Sequence, residues 1–265
     1  MNVRTFKSII ALFLTVTLFV SCSDSASNDE VTPVIPSAET MTIDLSDFNN
    51  NNAKAKAESN FNAALFRAGV AKLIVDANLI IPKVLISAAQ NRNPETVADG
   101  EYQWQYSAEN GDDDFSVLLT AEVDSEDEVD WNFYVTTSAT DPPLNNFLFF
   151  SGEAEYDGTE GNWTYFDAQE ENAVSEIEWD IDNDGSIELE FSVLSDRNGN
   201  EGAEIEYEFD GTIKTITYVE GGSGDETTIE FNTETKTGFI LSANYNNGIK
   251  SCWDENFDNT PCSDD

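Results

Sequence analysis

The feature that most constrains this chain is an alternation of apolar and polar residues that begins after Gly100 and continues almost to the C-terminus. Apolar residues at every second position are typical of β-strands with one buried face. Clusters of Gly, Asn and Asp separate the alternating segments, as hairpin turns do. The sequence therefore predicts a mainly β protein of the α+β class, with about ten strands in an antiparallel meander. The predicted strands are centred on residues 102–106, 115–123, 129–135, 163–165, 177–181, 187–193, 205–209, 216–218, 229–231 and 239–245.

Residues 54–92 follow a different pattern, in which apolar side chains recur at a spacing of three and four, as in an α-helix. Pro82 interrupts this segment. Since proline fits the first turn of a helix better than its interior, the sequence predicts two helices, about 54–76 and 82–91. The stretch from Leu73 to Ile86 is apolar on most faces, which indicates burial against a large surface.

The apolar face of the sheet and the apolar helices each need a cover. A strongly curved sheet wrapped around the helices provides both, and a closed barrel with the helices outside is the competing arrangement. We expect the helical segment (54–92) and the β meander (93–265) to form one domain.

The first 22 residues have the pattern of an export signal. A positively charged start precedes an apolar run over residues 9–20, which is shorter than the ~20 residues that cross a bilayer. The run ends in FVSC (19–22), which resembles the lipobox of bacterial lipoprotein precursors. That resemblance implies removal of a signal peptide (1–21), attachment of palmitate-type acyl chains through a thioether at Cys22, and a flexible tether over residues 22–53.

The residue after the cysteine bears on where such a lipoprotein would go. Ser23, rather than Asp, occupies this position, and by resemblance to lipoprotein sorting in Gram-negative bacteria this implies the outer membrane. The run SCSDS is also similar to lipoproteins of Bacteroidota, many of which reach the outer leaflet. The expected location is therefore the outer membrane of a Gram-negative bacterium, periplasmic or surface-exposed. An ordinary secretory signal with a chance cysteine is the alternative.

Charge and composition exclude several functions. The chain has 52 acidic and 12 basic residues, a formal net charge of −40, and such a surface repels nucleic-acid phosphates. Histidine is absent, which removes Ser-His-Asp and Cys-His catalysis and His-ligated metals. We therefore expect no nucleic-acid partner and no enzymatic activity. With 40% hydrophobic residues the chain can still build a core.

Two cysteines remain near the C-terminus, Cys252 and Cys262, in CWDENFDNTPC. An exported protein meets an oxidising compartment, so we predict a Cys252–Cys262 disulfide. Two free thiols or a two-cysteine metal site are the alternatives.

The run WDIDNDGSIELEF contains the most specific ligand motif. Asp180, Asp182 and Asp184, followed by Gly185, match the opening of a calcium-binding loop. The match then fails, since Phe191 stands at the position of the bidentate glutamate and the flanks alternate like strands. We predict a β-hairpin here, with calcium binding by Asp180, Asp182 and Asp184 as a second possibility; no other cofactor is expected.

The mature chain also resembles small exported flavobacterial lipoproteins. The resemblance is carried by SC after the signal, a helical N-terminal third, aromatic hairpins and a terminal CWDxN…C segment. It implies the location and fold and adds no chemistry. The first hypothesis is a monomeric, lipid-anchored envelope protein with a non-enzymatic binding or scaffold role. One alternative is a carrier of lipid or another apolar ligand between sheet and helices. The other is a carboxylate-based glycan-active enzyme, which needs paired acids and solvent-facing tryptophans.

Overall fold

The computed structural model describes residues 32–48, 59–124, 128–167, 172–195 and 199–263. The signal peptide, Cys22 and the start of the tether lie outside the described residues, so their predictions stay untested. Short 3-10 helices span Ala38–Met41, Ser46–Phe48 and Asn246–Gly248, and α1 spans Asn60–Ala89. The strands are β1 (Glu95–Ala98), β2 (Glu101–Asn110), β3 (Asp113–Val123), β4 (Glu128–Thr137), β5 (Leu144–Glu155), β6 (Glu160–Phe166), β7 (Ala173–Ile181), β8 (Ile187–Val193), β9 (Glu204–Phe209), β10 (Ile213–Val219), β11 (Glu226–Asn232), β12 (Gly238–Ser242), β13 (Ser251–Trp253) and β14 (Asn259–Thr260).

The described strands form one antiparallel sheet in which each strand pairs with the next one along the chain, from β1 to β14. The mainly β, antiparallel meander is therefore confirmed, but the predicted count of about ten strands is wrong, since fourteen are found in these ranges. The missed strands lack a readable alternation. All four residues of β1 are exposed, and β13 and β14 are three and two residues long. In β5 the register shifts opposite β4, which breaks the period of two.

The sheet is open, because β1 and β14 stand at the two ends of the described strand order and do not pair. The closed barrel is therefore excluded. The helix α1 contacts strands near both edges of the sheet. Near its start Asn60 donates to the backbone oxygen of Cys252 on β13, and near its end the Tyr106 hydroxyl on β2 donates to the backbone oxygen of Leu85.

One continuous helix replaces the two predicted ones. Ser59 caps its start by accepting a hydrogen bond from the backbone N–H of Asn62, so α1 begins at residue 60; the predicted helical residues 54–58 lie outside the described residues. Pro82 lies inside the helix and is buried. A proline removes one N–H from the helical ladder, and burial of Leu79 and Leu85, which are fully inaccessible, holds the segment helical across it.

The prediction that the apolar stretch of the helix is buried on most faces is only half right. Leu79, Leu85 and Ile86 are inaccessible, but Leu73 is 68% and Ile80 is 54% exposed. The sheet and its neighbours cover one side of α1 and leave the other to solvent.

Part of the expected tether is instead packed into the core. Within residues 32–48, Met41 and Phe48 are fully inaccessible and Ile43 is 1% exposed. The Tyr165 hydroxyl on β6 donates to the sulfur of Met41, and Phe48 lies 4.5 Å from Phe231 on β11, centroid to centroid. The start of this segment was assigned to the tether because it is rich in Ser, Asp and Pro, and that composition does not show which of its few apolar residues will find a place in the core.

Candidate binding surface on the outer face of the sheet

Alternation along each strand sends one set of side chains to the core and the other to the outer face, and register decides which outer residues become neighbours. On the outer face of β2 to β5 the register aligns a row of uncharged residues. Gln105 pairs with Leu118, Leu118 pairs with Tyr134, and Tyr134 pairs with Leu148. Cross-strand partners of this kind lie side by side, so the row forms a continuous surface.

A groove of about 520 Å³ lies at the β5 end of this row. Its walls are aromatic, aliphatic and amide side chains, with no charged group among them. They are Tyr134, Pro142, Pro143, Leu144, Asn145, Asn146, Phe147, Leu148 and Phe166. A second depression, of about 340 Å³, shares Tyr134 and Asn146 with the groove. Its outward-facing residues carry amide, hydroxyl and aliphatic groups: Gln105, Ser107, Ser116, Leu118 and Thr136. We call these two sets together the neutral face.

Hydrogen bonds from β4 fix the rim of the groove. The Thr136 hydroxyl accepts from the backbone N–H of Asn146 at 2.9 Å. The Thr137 hydroxyl donates to the backbone oxygen of Asp114 at 2.7 Å and accepts from the backbone N–H of Ala139 at 3.1 Å. Leu144, which is 7% exposed, anchors the segment that follows. The groove walls are therefore attached to the sheet rather than carried on a free loop.

The chemistry of the neutral face suits an uncharged, hydroxyl-bearing ligand. Aromatic rings offer flat apolar contact, and amides and hydroxyls both donate and accept hydrogen bonds. The chain has 52 acidic residues, and carboxylates bind water strongly. On an uncharged surface a neutral ligand does not have to displace that water. The neutral face was not predicted from the sequence, because Tyr134 and Phe166 stand at positions of their strands that are otherwise polar. An aromatic residue at such a position is the signal that could have indicated a binding surface.

The outer face of β6 to β9 is the opposite, an array of carboxylates in register. Glu160 pairs with Asp180, Asp180 with Glu188, and Glu188 with Glu208. A second row places Glu190 between Glu178 and Glu206. We call these seven residues the acidic ladder. Like charges directly opposite each other destabilise a sheet, so this surface is kept at some energetic cost.

One residue of the ladder, Glu206, has a raised pKa. Burial raises the pKa of Glu206, and the neighbouring carboxylates Glu208 and Glu190 raise it further. The ladder repeats over four strands, so no single pair of carboxylates is set apart as an acid and a base.

The predicted calcium residues lie at the edge of this ladder, in the β7–β8 hairpin. The backbone N–H of Gly185 donates to the backbone oxygen of Asp182, and Gly185 has a φ of +92°, as the turn requires. Asp184 accepts from the backbone N–H of Ser186, which lowers the pKa of Asp184. Asp180 points outward from the strand. Among the described residues, no group of three or more Asp, Glu or Cys side chains is placed to hold a metal ion, so the turn is built by hydrogen bonds within the hairpin.

The predicted disulfide is confirmed. Cys252 on β13 is bonded to Cys262, with 5.2 Å between their Cα atoms. It fastens the C-terminal segment beside the start of α1, where Asn259 accepts from the backbone N–H of Asn60.

The tryptophans belong to the core rather than to a sugar-binding platform. All five are at most 3% exposed: Trp104, Trp131, Trp163, Trp179 and Trp253. Three of them donate their indole N–H to a backbone oxygen, whereas the buried N–H groups of Trp131 and Trp163 have no acceptor among the described residues.

Aromatic rings pack against one another on the inner face of β4 to β6. Phe133 stacks on Phe150 with 3.9 Å between ring centroids, and the edge of Trp163 packs against both at 5.7 and 5.4 Å. All three residues are fully inaccessible. The space that a carrier would keep open for a ligand is occupied here by side chains.

Comparisons with known protein families, with curated proteins and with solved structures find no match to this chain. Within the described ranges, no helix combines the length and the hydropathy that a membrane crossing needs.

Proposed function

We propose that this protein is a lipid-anchored cell-envelope protein that binds an uncharged, hydroxyl-rich ligand, such as a neutral glycan, on its neutral face without chemically altering it. The observation that carries this proposal is the uncharged groove at Tyr134, Leu148 and Phe166 on an otherwise strongly acidic chain. The acyl chains at Cys22 supply the membrane contact, and the outer membrane of a Gram-negative bacterium is the proposed location.

Two features support surface binding over the carrier alternative. The interior is filled by aromatic side chains, of which Phe133, Phe150 and Trp163 are fully inaccessible. The groove lies on the outer face of the sheet, where a large ligand such as a polymer can reach it without any opening of the fold. A carrier of lipid would need a cavity of several hundred Å³ between sheet and helix.

The glycan-active alternative has less support. The carboxylates that lie opposite each other are on an acidic strand face, and the tryptophans are in the core. The neutral face has aromatic and amide groups and no carboxylate among its lining residues, which favours binding over hydrolysis.

Binding to a panel of neutral oligosaccharides tests the ligand class, with Tyr134→Ala as the test variant and Tyr218→Ala as the control. Both tyrosines are partly exposed, and Tyr218 lies on β10, away from the groove. We expect binding that Tyr134→Ala abolishes and Tyr218→Ala leaves intact. Loss of binding in neither variant would place the site elsewhere, and binding of a fluorescent fatty acid in one-to-one ratio would favour the carrier.

Native mass spectrometry of the protein extracted from its own membrane tests the anchor. We expect a chain that begins at Cys22, carries acyl groups and lacks the two hydrogens of the Cys252–Cys262 disulfide. A mature chain that begins elsewhere, without acyl groups, would remove the proposed anchor but leave the ligand proposal standing.

A further inference from the structure

The exposed side of α1 carries an apolar stripe that nothing in the described chain covers. Phe66 is 71%, Leu73 is 68% and Ile80 is 54% exposed, although large apolar side chains on a helix of a folded protein are normally covered. Between them stands Ala77, which is also exposed. Exposure of so short a side chain means that the helix backbone itself is accessible at the middle of the stripe.

The spacing of this stripe is that of a helix–helix seam. Its exposed members are Phe66, Leu73, Ala77 and Ile80. The half-buried Val70 and Val84, which also pack against the core, complete the row, so that the spacing is four and three residues from Phe66 to Val84. A strict 3-4 repeat is the narrow seam by which one helix packs against another. The opposite side of α1, with Ala68, Val75 and Leu79, is already buried against the fold.

We propose that a second copy of this chain covers the stripe, with the two α1 helices packed antiparallel. In the register that places Leu73 opposite Val84 of the second copy, Ala77 lies opposite Ile80 of that copy. The small residue then receives the large one, and the pairing repeats on the other side of the two-fold axis. This inference departs from the expectation of a monomer and does not depend on lipidation or on the ligand of the neutral face.

Charges beside the stripe fit this orientation. Asp76 and Lys83 flank it on one side, where they form an ion pair within the chain at 2.8 Å. In this register Asp76 of each copy lies on the same edge of the interface as Lys83 of the other, two residues from the directly opposite position, so the two pairs within the chains can be exchanged for two ion pairs across the interface. A parallel pair would instead set these residues opposite Ile81 and Ala88, and they would gain no partner.

The helix is also where two such acidic chains repel each other least. Residues 60–92 contain four basic residues and one acidic residue, whereas the whole chain has a formal net charge of −40. A membrane surface fits the stripe less well, because a helix that lies on lipid needs free cations beside a broad apolar face. Here Lys72 and Lys83 are both paired with Asp76, and Arg67 donates to the backbone oxygens of Ala63 and Asn244.

Sedimentation equilibrium of the full chain with Cys22→Ser, which carries no acyl group, tests the dimer. Ile80→Gln should weaken the dimer by at least about 100-fold, because each dimer loses two buried isoleucine side chains. Ile249→Gln is the matched control, since Ile249 is 58% exposed and lies off the helix, and it should leave the dimer intact.

Charge reversal tests the register. Asp76→Lys should disrupt the dimer, and the double variant Asp76→Lys/Lys83→Asp should restore it, because the two ion pairs re-form with their signs exchanged. Orientation is tested by mixing an Ala77→Cys chain with an Ile80→Cys chain, for which oxidation should give the mixed disulfide in preference to either self-disulfide.

Three results would overturn the inference. The first is a chain that stays monomeric at every concentration. The second is a dimer that Ile80→Gln and Asp76→Lys leave unchanged, which would place the interface on another surface. The third is a monomer that binds vesicles containing anionic phospholipid through this stripe, so that Ile80→Gln abolishes vesicle binding.

Discussion

A buried lysine holds the N-terminal segment onto the sheet, and its surroundings make a quantitative prediction. Lys214 on β10 faces the core, and its side chain is 2% exposed. Its ammonium lies 2.8 Å from a carboxylate oxygen of Asp44, 3.0 Å from the backbone oxygen of Asp44, and 2.8 Å from a carboxylate oxygen of Asp47. Two hydrogen bonds to Asp44 and an ion pair with Asp47 thus hold the ammonium, and both acids belong to the segment that the sequence presents as a tether.

The two ways of breaking this cluster should differ in cost. Changing both Asp44 and Asp47 to Asn leaves a buried ammonium without a counter-charge, which costs about 3–5 kcal/mol. Lys214→Met removes the buried charge and leaves two carboxylates that are 55% and 37% exposed, so water can hydrate them. Its cost is the loss of charge-assisted hydrogen bonds, about 1.5–3 kcal/mol, partly offset by a buried apolar side chain. We expect the double Asn variant to be about 2 kcal/mol less stable than Lys214→Met.

The cluster also contributes to the pH dependence of stability. Partial burial alone raises the pKa of Asp44, but hydrogen bonds from Lys214 and Ser46 outweigh it and hold the pKa at about 2, below the ordinary value of 3.8. Since the pKa is lower in the folded state, the carboxylate stabilises the fold above about pH 4, and this contribution is lost as the pH falls through about 2. Solvent screening of this exposed group limits the contribution to about 1 kcal/mol. The difference in the free energy of unfolding between wild type and Lys214→Met should therefore decrease by about 1 kcal/mol as the pH falls through about 2.

Urea unfolding followed by tryptophan fluorescence measures these free energies. The decisive comparison adds Lys214→Met to the double Asn variant, because removing the stranded ammonium should recover about 2 kcal/mol. Two results would contradict this reasoning: Lys214→Met destabilises the double Asn variant further, or Lys214→Met alone costs more than the double Asn change. Either result would show that Asp44 and Asp47 do not stabilise the fold by compensating the buried charge of Lys214.

Three further tests, with five substitutions between them, examine the packing of the sheet, the helix and the C-terminal segment. Trp163→Phe should cost about 1 kcal/mol less in urea unfolding than Trp179→Phe, since only the indole N–H of Trp179 has an acceptor among the described residues; equal losses would contradict this. Gly69→Ala should raise stability by about 0.5–1 kcal/mol, because a Cβ there meets nothing within 4 Å, whereas Gly152→Ala should destabilise the protein, because its Cβ would overlap a backbone oxygen of β6. The opposite ranking in thermal unfolding would refute both assignments. Cys252→Ser should lower the free energy of unfolding by about 2–3 kcal/mol under oxidising conditions and leave the reduced protein unchanged; an effect of the same size after reduction would show that the thiol, not the disulfide, matters.

The predictable part of the fold is the part encoded by local patterns. Period-two alternation identified β3, β4 and β8 because each has a mostly buried apolar face opposite a more exposed and mostly polar one. The same pattern failed at β1, where all residues are exposed, and at β5, where the shift in register disrupts the period. The disulfide could be predicted because two cysteines lie close together near the C-terminus, in a chain expected to be exported to an oxidising compartment.

The candidate surfaces were far less predictable. The neutral face requires Gln105, Leu118, Tyr134 and Leu148 to be neighbours, and they are contributed by four strands whose alignment no local pattern states. The acidic ladder is assembled in the same way, and the register aligns Asp180, one of the predicted calcium ligands, with Glu160 and Glu188.

By itself, the sequence determined that this chain forms an antiparallel meander with one aromatic face, a helix in its N-terminal third and a disulfide near its C-terminus. The strands and the helix follow from the spacing of apolar residues along the chain, which fixes the direction of every side chain within its own element, and the disulfide follows from the two cysteines near the C-terminus. Only the tertiary structure decided that residues 32–48 belong to the core, that α1 continues through Pro82, and that Phe66, Leu73 and Ile80 remain exposed. These depend on which surfaces meet, since the stability of a buried or strained position comes from contacts between elements far apart in the chain.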